Sequence, residues 1–146
     1  MKLIFNNSES LKIKLLSNNA ENYIYDINLL VSLKTESVTI NQNVWVDRYE
    51  LEDFLSGLKK LQSNLKGQIS FTSESPGELL LLIKSVDSSG HFALQIELGY
   101  QKYIGTETFW SKVLEVFPLE TASLDNVCTK FLKYFSDFTN ISHGNS

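Results

Sequence analysis

Two histidines, one cysteine and seventeen acidic side chains are the groups of this 146-residue chain that could hold a metal, act as a nucleophile or move a proton. Their spacing argues against most of that chemistry. A zinc centre needs three or four nitrogen or sulfur ligands, and His91, His143 and Cys128 lie far apart in the sequence. Cys128 falls on an apolar helical stripe between Leu124 and Phe131. It is expected to be a buried, inert thiol, because a reactive one needs an accessible, electropositive setting. No glycine-rich phosphate loop and no G-x-S-x-G elbow occurs. Glu50, Glu52 and Asp53 cluster where a helix begins, and there the helix dipole accounts for them. The sequence therefore assigns no catalytic, cofactor-binding or metal-binding residue. An enzyme built on dispersed carboxylates is the third-ranked expectation.

Binding chemistry is better represented. Tyr100 and Tyr103 stand in "GYQKYIGTE", residues 99–107, which reads as a loop. Tyrosines between flexible glycines suit a contact surface. Glu74 and Glu78 flank the turn "SPG", and Asp87 opens the turn "DSSG". These five residues are the expected partner-binding set, with the contact surface on loops and hairpin ends. Trp45 and Trp110 read as core or edge packing, with a binding role as the alternative.

The elements that must position them follow from periodicity. Leu11, Ile13 and Leu15 alternate with Lys12 and Lys14, the period of a half-buried strand. Tyr23, Tyr25, Ile27, Leu29, Val31 and Leu33 form one face of a long strand. Val38, Ile40, Val44 and Val46 form another. "VWVDRYELEDFLSGLKKLQSNLKG" then switches period. Asp47 is the expected N-cap, with Glu50 completing a capping-box variant, and Val46 and Leu51 are placed as a hydrophobic staple. Leu51, Phe54, Leu55, Leu58, Leu61 and Leu65 make the stripe, and Gly67 is the expected C′ residue. Ile69 and Phe71, Leu79 to Ile83, then Phe92 to Leu98, return to strands. A last strand is expected over about 108–118. Ser123 is the expected N-cap of a second helix with the stripe Leu124, Val127, Cys128, Phe131, Tyr134, Phe135 and Phe138. The expected fold is α+β, antiparallel sheet with two amphipathic helices in the order ββββαββββα. Strands leading twice into a helix suggest a diverged internal duplication.

The bulk numbers fit a single domain over 1–139 with a disordered tail at 140–146. Thirteen basic residues against seventeen acidic give a formal charge of −4 and a pI near 5.2. That argues against a nucleic-acid binder, which shows a basic stripe. The longest apolar run, "LLLLI" at 79–83, is strand-sized, so no membrane span is expected. With a single cysteine and no signal-like start, a cytoplasmic location is expected.

The order of "EDFLSGLKKLQSNLKGQISFTS", "ELLLLI", "SSGHFALQIELG" and "ASLDNVCTKFLKYF" resembles the WapI-type immunity proteins of bacterial polymorphic and contact-dependent toxin systems. Phe54, Leu58, Leu61, Leu65, Gly67, Gly90, His91, Phe92 and Leu124 carry the likeness, which covers about residues 44–135. The resemblance implies a non-enzymatic protein that binds one cognate toxin domain and occludes it. A basic nuclease is one such toxin. No catalytic motif comes with the family. The competing expectation is a structural or adaptor module, such as a homodimer.

Overall fold

The computed structural model describes residues 1–17 and 25–138. The expectations for Tyr23 and for the 140–146 tail lie outside the described residues. Four strands, β1 (Lys2–Ile4), β2 (Ser10–Ser17), β3 (Asp26–Lys34) and β4 (Thr39–Asp47), form an antiparallel meander that leads into α1 (Arg48–Asn64). A second meander of four, β5 (Gln68–Thr72), β6 (Leu79–Ser85), β7 (His91–Ile104) and β8 (Glu107–Glu120), leads into α2 (Thr121–Tyr134). The α+β fold and the order ββββαββββα stand as expected.

The two halves repeat in register as well as in order. Asp26 pairs with Asp47 at the end of β3–β4, and His91 pairs with Glu120 at the end of β7–β8. Eight positions further along, Lys34 pairs with Thr39 and Gly99 pairs with Lys112. Between those marks the buried positions coincide: Ile27, Leu29, Val31 and Leu33 in β3 answer to Phe92, Leu94, Ile96 and Leu98 in β7. Asp47 caps α1 and Glu120 caps α2. Counted from those caps, Leu51, Phe54, Leu55 and Leu58 answer to Leu124, Val127, Cys128 and Phe131, and all eight are buried. Cys128 thus fills the place of Leu55, which explains a thiol on an apolar stripe.

One core serves both halves. Phe54 of α1 meets Phe71 of β5 edge-on at 4.6 Å and Phe131 of α2 at 5.5 Å. Such pairs contribute about 0.5–1.5 kcal/mol beyond the area they bury. α1 lies along β5, where the Glu50 carboxylate accepts from Thr72 N at 2.9 Å and from its hydroxyl at 3.1 Å. α2 reaches the first sheet: the Tyr134 hydroxyl accepts from Leu15 N at 2.8 Å, and Lys130 Nζ donates to Lys2 O at 3.1 Å. No helix among the described residues is long and apolar enough to cross a membrane.

Three local expectations need correction. Ser123 is not the N-cap of α2. Glu120 holds that place, and Ser123 sits at N3 and closes the capping box, its hydroxyl accepting from Glu120 N at 2.8 Å. Leu65 is not on the α1 stripe. It is the C-cap, left-handed at φ 57°, and its N–H donates to Leu61 O, so the chain turns before Gly67. Residues 99–107 are not a loop, because β7 continues to Ile104 and β8 starts at Glu107. Gly105, at φ 62°, makes the two-residue reversal between them.

Candidate functional site: a hairpin arm beside an acidic junction

At the corrected loop the halves differ in kind. After Lys34 the first half closes through Thr35–Val38, with Thr35 N donating to Val38 O at 2.8 Å. After Gly99 the second half runs on as a two-stranded arm, Tyr100 pairing with Ser111, Lys102 with Phe109 and Ile104 with Glu107. β6 stops at Leu79, opposite Leu98, so the arm projects past its own sheet. Alternation puts Tyr100, Lys102, Ile104 and Phe109 on one face and Tyr103 and Trp110 on the other. The arm buries almost nothing: Tyr103 is 74% exposed and Ile104 65%. Lys102 lies 5.6 Å from the Tyr100 ring centre and Lys112 lies 5.2 Å from that of Trp110.

Trp110 anchors the arm's root. Its ring covers Gly77 and Gly99 so closely that a Cβ on Gly77 would stand 3.0 Å from it. A Cβ on Gly99 would stand 2.5 Å from Gly77 O. Gly99 N donates to Glu78 O at 3.1 Å. The β5–β6 turn is therefore pinned to the base of the arm.

That turn also forms the junction between the halves. Glu74 N donates to Trp45 O at 2.8 Å, and Gln42 Nε2 donates to Gly99 O at 3.0 Å. Beside them opens a cleft of about 730 Å³ lined by Asp47, Glu50, Ser73, Glu74, Gly77 and Glu97. Its electrostatics follow from the register. Asp26 and Asp47 stand directly opposite in β3–β4, an arrangement that repels when both are charged. Asp47 accepts from Tyr49 N and Glu50 N at the helix start. Glu74 shares a side-chain hydrogen bond with Asp26. That bond, then partial burial, then the charges of Asp26 and Asp47, push the Glu74 carboxyl up to about 7. The Glu74 carboxyl is therefore easier to protonate than an ordinary glutamate.

The five residues expected to bind a partner divide into two places. Glu74, Glu78, Tyr100 and Tyr103 gather at the junction and arm. Asp87 is at the opposite end of the second sheet, in the β6–β7 turn, accepting from Ser89 N at 2.8 Å and meeting His91 Nδ1 at 2.9 Å. The Ser89 N–H, then His91, hold its carboxyl below the usual range. From His91 to Gly99 is eight strand residues, or about 27 Å. Sequence reasoning missed Ile104, Phe109, Leu114 and Val116 as surface residues. The signal was there: "IGTE" is a two-residue reversal between runs of similar length, but the apolar residues of 100–104 do not alternate. Trp45 and Trp110 are both part-exposed, at 40% and 41%.

Among the described residues, no group of three or more histidine, cysteine, aspartate or glutamate side chains is arranged to hold a metal ion. Burial, then the nearby Asp125, push the Cys128 thiol up to about 11, far from a nucleophile's range. No family model, no curated protein and no solved structure matches the chain.

Proposed function

We propose that this chain is an immunity protein of the WapI type, which binds a cognate bacterial toxin and blocks it by stoichiometric occlusion. The observation that carries the reading is the arm. It has no counterpart in the first half, it adds nothing to the core, and it displays Tyr100, Tyr103, Ile104, Phe109 and Trp110. Aromatics held rigidly at low entropy cost are the residues that dominate protein interfaces. The junction carboxylates beside the arm suit a partner with a basic cleft, such as a nuclease. Steering of this kind raises the association rate and makes it fall as salt rises.

Co-purification with the product of the adjacent upstream gene tests the reading, followed by protection of cells from that product. Tight one-to-one binding is expected. Charge reversal at Glu74 and Glu78 should slow association, whereas Asp87→Lys alone should leave it unchanged. Failure to bind any neighbouring gene product would remove the immunity reading.

A further inference from the structure

Three of the four sheet edges receive at least one bond from elsewhere in the chain. β5 lies under α1, its Thr72 N–H taken by Glu50. β4 receives Glu74 N on Trp45 O. β1 is three residues long, and Lys130 caps its Lys2 carbonyl. β8 is different. It ends the second sheet, runs for fourteen residues, and pairs with β7 through fourteen consecutive positions without a bulge. Among the described residues, no backbone group of Glu107–Val116 bonds outside that ladder. Pro118 and the Phe5 ring stacked 3.8 Å from Phe117 cover only the far end. Long flat edges are normally blunted by bulges, prolines or several lysines; this stretch has Lys112 alone. On its outer face Trp110, Leu114 and Val116 are 41%, 54% and 48% exposed.

We infer that the β8 edge from Glu107 to Val116 is a strand-addition site for an extended, basic segment of another protein. Backbone pairing would supply affinity, and alternate partner side chains would lie against Trp110, Leu114 and Val116. Charge selects the occupant. Within Glu107–Val116, β8 carries Glu107 and Glu115 against Lys112, a net of −1, and Lys112 is itself paired with Glu97 at 3.8 Å. A second copy laid antiparallel would set two such strands side by side, whereas a lysine-bearing strand would complement one.

The inference rests on reading this face as a protein-binding surface, and its test needs no toxin. The full chain is titrated with a capped ten-residue peptide of alternating lysine and valine, and amide hydrogen exchange is followed by NMR. About every second amide in 107–116 should gain protection, because only alternate N–H groups point off the edge. The same peptide methylated on alternate backbone nitrogens should lose binding. An alternating glutamate–valine peptide should bind at least about tenfold more weakly. Unprotected β8 amides, equal binding of the methylated peptide, or equal binding of the glutamate peptide would each overturn the inference. So would light scattering that shows a dimer with β8 already protected in the free chain, since the occupant would then be a second copy. None of these outcomes bears on whether the upstream gene product binds, so the two readings fail separately.

Discussion

The Glu74 carboxyl is pushed up by its hydrogen bond with Asp26, then by partial burial, then by the charges of Asp26 and Asp47. Its folded value of about 7 lies above its ordinary 4.5. A carboxyl raised in this way contributes stability that is fully present below the unfolded value and lost as pH rises through the folded one. Thermal stability should therefore fall between about pH 5 and pH 8, and Glu74→Gln should flatten that part of the profile in a calorimetric series. Leu65 sits at φ 57° and is 41% exposed. A left-handed residue other than glycine costs about 1–2 kcal/mol, and asparagine tolerates the conformation best among the rest. Leu65→Asn should raise stability by about 0.5–1 kcal/mol in urea unfolding. Cys128 is solvent-inaccessible, and its thiol is held up at about 11. A thiol reagent should label it slowly in the native state and fast after unfolding. Its burial was legible from its place on the stripe. Leu65 was misread because its spacing fits the same stripe, and spacing carries no information about where the backbone reverses.

At the scale of elements, α1 is fixed by burial more than by its caps. Leu51, Phe54, Leu55, Leu58 and Leu61 are all buried, and truncating such residues costs far more than the roughly 1 kcal/mol of an N-cap. Phe54→Ala and Leu58→Ala should each lose about 2–5 kcal/mol in chemical denaturation. The arm should behave in the opposite way. Joining Gln101 to Trp110 through the first half's own Thr35–Val38 sequence, which keeps the Trp110 anchor, should leave the unfolding midpoint nearly unchanged and abolish partner binding. Strands whose inner residues alternate, such as Ile27 to Leu33, were legible because one face is buried and the other wet. The arm was not, because both of its faces are exposed and burial imposes no period on it.

As a whole, the molecule is two similar halves that share one core. Phe54, Phe71 and Phe131 join α1, β5 and α2 in a single cluster, and each helix makes bonds to the other half's sheet. Urea unfolding should show one transition by both fluorescence and circular dichroism. A fragment ending at Lys66 should show no cooperative melt, because the surface that covers its helix would be missing. The structural repeat was only hinted at by the sequence. Leu51 and Leu124 match in identity, but most equivalent positions, such as Phe54 with Val127 or Leu58 with Phe131, share only their burial. The interlocking also has a consequence in time. α1 is complete at Asn64, but the second sheet is complete only at Glu120, 56 residues later. At about 5–20 residues per second on a ribosome, that is a delay of roughly 3–11 s. For those seconds the newborn chain carries an open leucine and phenylalanine stripe, so slowing translation between these two points should raise aggregation without changing a single residue.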